Sequence, residues 1–537
     1  MKTTQKISDS NQFDVIVIGS GIGGLTVAAI LSKLNHKKVL ILEQHFIVGG
    51  FTQEFKRKGF RWDIGVQAVT EMAKGDIGRV VFDYITEGKL QWEKLPNLSD
   101  KLVYPDFTFE IYSNPQRNIS DLIRMFPEEK ASIKRYFSDL QKVTIWYKIH
   151  LIADFLPKWL QRLIKLCVGR LGKLARLTTK EYVERNFRNP YLKALLTSQW
   201  GAYGLPPSQI SFGIHAVAMT SYGKGSWYPV GGSQAIVDCI LPTIKKAGGM
   251  VLTQRHVTEI IVKNGVAKGV KAKKTHNAKA EVEAYYASVV ISDAGAFKTY
   301  TELLPEGYAT AYRNQITAFP KGYSMLFLFL GLKESPEKLG FGTQNYWIFN
   351  TYNHDQALQE QLAAPDKIIN SCMLSFPSLK NHTVGRSTAE IIIYADYNYF
   401  ARWQGQPWRK RDPDYYKLKE KLAQKIINFV ENYYPGFKDL IEYYELATPL
   451  TVEYFVASDK GSTYGTASVP ERFDQKWINA KTPIKNLYLT GTDALVHGIV
   501  GATIGGVMTA GIINGLFGFF KVMFAIIFPI SNSKKEI

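Results

Sequence analysis

The sequence predicts an α/β protein in which a Rossmann-type dinucleotide-binding domain is interleaved with a mixed α+β substrate domain. Three observations predict it. An apolar run near the start, "FDVIVIGSGIGGLTVAAI" at 13–30, places Gly19, Gly21, Gly23 and Gly24 between a strand pattern and a helix pattern. A second strand, "KVLILE", ends in Glu43. Some 450 residues later, "NLYLTGTDALVHGIVGATIGG" repeats the arrangement of strand, acid and glycine-punctuated helix start, with Asp493, Gly498 and Gly501.

In the first motif Gly19 makes the tight turn and Gly21 lets the backbone approach a pyrophosphate. Gly24 lets helix and strand pack closely, and the helix N-terminus faces the phosphates. Glu43 stands where a carboxylate accepts hydrogen bonds from an adenosine ribose. The pair Gly49-Gly50 follows shortly after, and two adjacent glycines admit a backbone pass beside an extended cofactor. That arrangement predicts non-covalent FAD rather than a nicotinamide nucleotide. In the returning segment Asp493 is expected to serve the ribityl hydroxyls, and the helix opened by Gly498 and Gly501 is expected to stabilise negative charge on a reduced flavin. One cofactor then needs both distant ends of the chain. The sequence holds one GxGxxG motif, so electrons are expected from a docking donor, a transient NAD(P)H or the substrate itself.

Composition excludes several classes. At 537 residues, with 46% apolar and 21% charged, the balance is that of an ordinary globular protein. Cys167, Cys239 and Cys372 are far apart and suggest neither a disulfide framework nor a metal site. The net charge of +19 comes without a nucleic-acid-binding signature. The basic residues concentrate in "PKWLQRLIKLCVGRLGKLARLTTK" at 157–180, where leucines and Trp159 recur at helical spacing, as in a helix lying on an anionic bilayer. The apolar tail "GLFGFFKVMFAIIFPI" at 515–530 is too short to span a membrane and suits insertion into one leaflet. The polar start "MKTTQKISDSNQ" is not a secretory signal. A cytoplasmic protein, peripheral on the cytoplasmic face of a membrane, is therefore expected.

The ordered segments "LEQH", "GRVVFDYITEGKLQW", "WYPVGGSQAIVDCILPTIKKAGGMVLT", "VVISDAGAFKTYTELLP", "TPLTVEYFVASDKGSTYG" and "NLYLTGTD" resemble the phytoene desaturase and carotenoid isomerase superfamily of FAD enzymes, most closely the retinol saturases. The resemblance spans nearly the whole chain. It implies that Gln44, Phe51, Val257 and Val500 join the cofactor contacts. It also implies a long apolar lipid as substrate, which suits the load of 30 Phe, 30 Tyr and 10 Trp. His215 in "GIHAVAM" and Tyr203 in "GAYG" fall in matching segments and are candidates for the proton donor that saturation of an alkene needs. One departure stands out: retinol saturases carry a histidine after the Asp-x-Gly motif, where this sequence has Gln67, which hydrogen-bonds but does not act as an acid near neutral pH.

The expected organisation is a discontinuous FAD domain from 11–70, 227–300 and 480–514, a substrate domain from 71–226 and 301–479, and an apolar tail at 515–537. The expected reaction is saturation, or desaturation, of a carbon–carbon double bond by hydride transfer with the flavin. Isomerisation by reduced flavin without net redox change is the alternative, and lipid binding without turnover a third reading.

Overall fold

A computed structural model describes residues 12–153, 155–156, 158–277, 279–381 and 385–529; the polar start and the "SNSKKEI" end lie outside the described residues. The nucleotide-type sheet follows from apolar strands buried on both faces. Val39–Leu42 is buried at every position and pairs in parallel with Gln12–Ile18. Gln12–Ile18 in turn pairs in parallel with Glu283–Ser292, and Met250–Leu252 extends the far edge. Leu487–Leu489 also lies parallel to Glu283–Ser292, with Ile291 opposite Tyr488. Strands from both ends of the chain are thus neighbours in one sheet. Such burial suits continuous Val/Ile/Leu runs rather than alternation. A hairpin of Arg255–Lys263 and Val266–Lys274 completes the sheet; its turn is Asn264-Gly265, both at positive φ (51° and 72°), as a two-residue turn of this hand requires.

The helix Ile22–Asn35 starts at the glycine motif and is buried from Ile22 through Ser32. It packs against Ile499–Ile513, and glycines set the approach: a Cβ on Gly506 would lie 2.8 Å from the Gly23 carbonyl, and one on Gly23 only 2.6 Å from the Gly491 amide nitrogen.

The second sheet runs in the order Ile441–Ala447, Ser324–Leu332, Thr388–Ala395, Ser371–Ser375, Asn345–Phe349, Leu98–Val103, Thr108–Tyr112. Ser324–Leu332 is buried throughout, and its period-2 alternation divides it between two cores. Leu326, Leu328 and Leu330 meet Leu422 and Ile426 of the helix Pro413–Tyr433; Met325, Phe327 and Phe329 face a helical layer. That layer contains Lys130–Ala153 packed on Phe212–Tyr222.

One expectation needs correcting here. The basic stretch at 157–180 is not one helix: it divides into Lys158–Cys167 and Gly169–Ala175, and the next helix starts at Thr179. Thr178 ends the run because its hydroxyl accepts from the Glu181 N–H while Glu181 returns to the Thr178 N–H, a capping box. Nor are all its cations free, since Arg176 pairs with Asp474 at 2.9 Å and Lys180 with Asp355 at 3.6 Å. The apolar tail forms Gly518–Ile527, which buries Val522 and Ile526 and exposes its opposite side.

Candidate active site

One cavity of about 1180 Å³ joins the glycine motif of the first sheet to the aromatic face of the second. Gly19, Gly21, Gly23, Glu43, Gln44, Gly49, Gly50, Phe51, Val257, Asp493, Val500 and Gly501 all line it. Gly24 lies behind the loop, where a Cβ would fall 2.8 Å from the Gly19 carbonyl. Gly19 and Gly49 sit at φ 93° and 127°, conformations that L side chains resist.

Glu43 is tied into the protein itself. Its Oε2 accepts from the Ser20 N–H (2.9 Å) and hydroxyl (2.6 Å), and its Oε1 from the His45 N–H (2.7 Å). Ser20 Oγ accepts in turn from the Gly49 N–H at 3.1 Å, so one carboxylate fixes the glycine loop against the Gly49-Gly50 pass. Asp493 behaves alike, accepting from the Ala296 N–H at 2.8 Å and the Thr466 N–H at 3.1 Å. The buried guanidinium of Arg472 supports this corner by donating to the carbonyls of Thr466, Thr492 and Leu495. Gln44 Oε1 meets His256 Nδ1 at 3.2 Å beside Val257.

Sequence reasoning missed three residues at this end: Arg472, Asp293 and His497. His497 lines the cavity with Nδ1 3.2 Å from Ser468 Oγ, and burial from bulk water brings its imidazole down to about 3, so it is neutral. A histidine directly before Gly498 was the available signal.

At the other end a polar row crosses four strands of the second sheet. Glu390 stands opposite Ser375, and Asn345 opposite Asp100. Lys380 lies over the row, its ammonium donating to Asn345 Oδ1 (2.7 Å), Ser375 Oγ (2.7 Å) and the Gln67 carbonyl (2.9 Å). Asp100 accepts from the Trp347 indole N–H at 2.8 Å and from Gln199 at 3.1 Å. Gln67 lines the cavity and donates to Glu390, yet Gln67 Oε1 and Glu390 Oε1 are buried without a hydrogen-bond partner among the described residues. Burial raises the Glu390 carboxyl to about 8 and lowers Lys380 to about 8.

Tyr203 and His215 come together, but only Tyr203 lines the cavity. His215 lies behind it, fully buried, with Nδ1 2.7 Å from the Tyr203 hydroxyl and Nε2 2.7 Å from that of Tyr136. Desolvation brings its imidazole down to about 3. A neutral imidazole has one N–H and one lone pair. The three rings therefore hold three protons, and two close the bonds between them. The third belongs either to Tyr136, aimed at the Leu196 carbonyl 3.3 Å away, or to Tyr203, which faces the cavity. A chain of neighbours runs from Tyr203 toward Asp493: Gly204 abuts the Tyr464 ring, and Gly465 abuts Asp493.

Residues 17–85 match the NAD(P)-binding Rossmann-like domain family. The chain is 35% identical to the all-trans-retinol 13,14-reductase of Danio rerio over 93% of its length and 86% of that protein. The chain belongs to the all-trans-retinol 13,14-reductase family. It is also 26% identical to prolycopene isomerase 2 of an Oncidium hybrid cultivar, over 96% of this chain and 86% of that one. Among solved structures it shares its fold with putrescine oxidase bound to putrescine, at a TM-score of 0.61 and 14% identity, over 94% of this chain and 99% of that one.

In this retinol-reductase family member two apolar elements line one part of the cavity. Leu151, Ile152 and Phe155, which precede the basic helices, line it together with Phe519 and Met523 of the C-terminal helix. Phe155 and Phe519 stack with centroids 4.5 Å apart. Around them Trp159, Leu516, Phe517, Phe524 and Phe528 are exposed, Leu516 at 85%. Arg162, Arg170 and Lys173 are exposed on the neighbouring helices, while the side chain of Lys165 lies outside the described residues. Among the described residues no helix is long and apolar enough to cross a membrane.

Proposed function

We propose that this protein is an FAD-dependent oxidoreductase that saturates a carbon–carbon double bond of a retinoid or similar polyene lipid. The continuity of the cavity carries the reading: a dinucleotide loop and an apolar chamber share one continuous space, so a cofactor and a long lipid can meet in it. The residues present fit FAD held non-covalently. Gly19, Gly21, Gly49 and Gly50 line the cavity as bare backbone, the helix from Ile22 offers its N-terminus, and the segment from Gly491 to Gly501 lines the same space. When bound, the flavin would supply hydride transfer to carbon; a docking protein or transient NAD(P)H would supply the electrons.

The chain's own part is the proton. Tyr203 gives its hydroxyl proton to the alkene carbon next to the one that receives hydride, and the Nδ1–H of His215 then holds the phenolate oxygen. His215 acts as a positioning residue, kept neutral by burial. The polar row receives the substrate's polar end: a hydroxyl donating to Gln67 Oε1, which lines the cavity, would satisfy an acceptor that otherwise costs about 1–3 kcal/mol. The substrate enters at the mouth beside Phe155 and Phe519, with the exposed apolar helix in the lipid and the arginines on anionic headgroups, a peripheral rather than spanning contact.

Anaerobic incubation of the reduced protein with all-trans-retinol, followed by product mass, tests the reading. A gain of two hydrogens supports it. An isomer of unchanged mass would favour the activity named in the isomerase relatives, and unaltered lipid would defeat both.

A further inference from the structure

The glycine motif surrounds more than a space for phosphate. Asp293 follows the strand Glu283–Ser292, its N–H bonded to the Ile18 carbonyl at 2.8 Å. Its carboxyl is the nearest neighbour, or among the nearest, of four glycines. A Cβ on Gly24 would lie 2.9 Å from Oδ2 and one on Gly23 3.0 Å from Oδ1, while one on Gly21 or Gly491 would collide with the carboxyl outright. Asp293 lines the cavity, and Oδ2 is buried without a hydrogen-bond partner among the described residues. The ionisable groups that bear on it are Glu43, from the strand on one side, and Asp493, from the returning segment. Both are acids, and both spend their oxygens on other backbone N–H groups. The amides of Gly21 and Gly24 are the donors directed at it.

A dinucleotide brings two phosphate charges to this corner. Three ionised carboxylates beside them would be repelled, and Asp293 is the one of the three that keeps a buried oxygen without a hydrogen-bond partner among the described residues. We infer that Asp293 contacts the cofactor's pyrophosphate as a neutral carboxylic acid, donating its O–H to a phosphate oxygen, and that cofactor binding therefore takes up a proton when the free protein has lost it. The proton comes from solvent and stays on the carboxyl until the dinucleotide leaves. The proposal rests on the reading of the site as an FAD site. Burial agrees with it, raising this carboxyl to about 8 in the cofactor-free protein. The sign follows: below about pH 7 the acid is already protonated and affinity is independent of pH, while above about pH 8 affinity falls by roughly tenfold per unit, one proton being linked to binding.

Apoprotein titrated with FAD between about pH 6 and pH 9.5, followed by flavin fluorescence, tests this without turnover. Wild type should show a flat dissociation constant that rises roughly tenfold per unit above about pH 8. Asp293→Asn keeps the shape and a donor, and should bind within about threefold of wild type at neutral pH and lose the alkaline rise. Equal slopes in the two proteins, or loss of FAD by Asp293→Asn at neutral pH, would overturn the inference. Calorimetry of wild type alone at about pH 8.5, in two buffers of different ionisation heat, gives a second reading that does not depend on the variant's folding. Uptake near one proton supports the assignment, and none refutes it. A wild type that binds no FAD at any pH overturns the cofactor reading together with this one.

Discussion

The two ends of the cavity treat their polar groups in opposite ways. At the dinucleotide end, Glu43 and Asp493 have both carboxylate oxygens occupied by backbone or hydroxyl donors from segments far apart in sequence. At the chamber end, Gln67 Oε1 and Glu390 Oε1 have no partner among the described residues, and Tyr203 shares a proton whose place is not fixed. Saturated carboxylates hold a shape whether or not a ligand is present, and orphaned acceptors gain only when one arrives. The first end is therefore a scaffold that binds by shape and by the geometry of its amides, and the second is the chemically undecided part of the site.

The largest effect that would break this contrast is at the undecided end. Tyr203→Phe removes the cavity-facing proton and should lower turnover by roughly 10²–10⁴-fold, with flavin content unchanged. Tyr136→Phe should do the same more mildly: without a hydroxyl on Nε2, the imidazole is free to keep its proton there and accept from Tyr203, withdrawing the donor. Nitrogen NMR of His215 should report the changed tautomer, which a purely structural role for Tyr136 would not predict. Because His215 is held near 3, neither wild type nor Tyr136→Phe should show a histidine titration between about pH 5 and pH 8.

At the scaffold end the expected losses are of stability and cofactor rather than rate. Glu43→Ala removes a charged acceptor from three donors, and each such bond is worth about 1.5–3 kcal/mol. The glycine loop should loosen and FAD occupancy fall, with a lower melting temperature even in the apoprotein. Asp493→Ala should act similarly through Ala296 and Thr466. If apoprotein stability were untouched and only FAD were lost, these carboxylates would be ligand contacts rather than scaffold. Gly23→Ala should cost about 1–3 kcal/mol, because its new methyl, in the first turn of the helix, meets the Gly491 backbone, which cannot move aside as a flexible side chain could.

This difference also explains what could be read from the sequence. The scaffold end rests on local signals: glycines at fixed spacing, an acid after a strand, a second acid after another. The pairing of Leu487–Leu489 with Glu283–Ser292 follows from strands that already look buried on both faces. The undecided end rests on register. Glu390 sits alone in "TAEIIIYA" and Asp100 in "LSDKLV", more than 280 residues apart, and only strand pairing puts them in one row. Tyr136 reads as one aromatic among many on a long helix until packing brings it to His215. Asp293 was hidden differently: in "VVISDAG" it looks like turn chemistry, and its meaning appears once four glycines are seen around it.

A smaller test sharpens the chamber end. Gln67→Met should raise KM for a polyene alcohol by about tenfold, near 1.4 kcal/mol, while leaving a polyene without a hydroxyl unaffected, since the variant removes an acceptor that only a donor could use. Equal changes for both lipids would place the polar end of the substrate elsewhere.

The smallest effect concerns the surface around the mouth. Arg162, Arg170 and Lys173 are exposed beside Trp159 and the C-terminal helix. If the proposed membrane contact forms, each should contribute about 1 kcal/mol to binding an anionic bilayer, and salt should weaken that contribution. Arg176 and Lys180 already face Asp474 and Asp355, so their substitution should change vesicle binding less than that of the free three. Arg162→Gln alone should weaken cosedimentation with anionic vesicles about fivefold at low salt and hardly at all with neutral ones. Phe524→Ser, on the exposed side of the C-terminal helix, should weaken both equally. The two variants separate the charged from the apolar share of one contact. If the unaltered protein stays in the supernatant with anionic vesicles at low salt, the mouth does not open on a bilayer, and the lipid must be delivered by another protein.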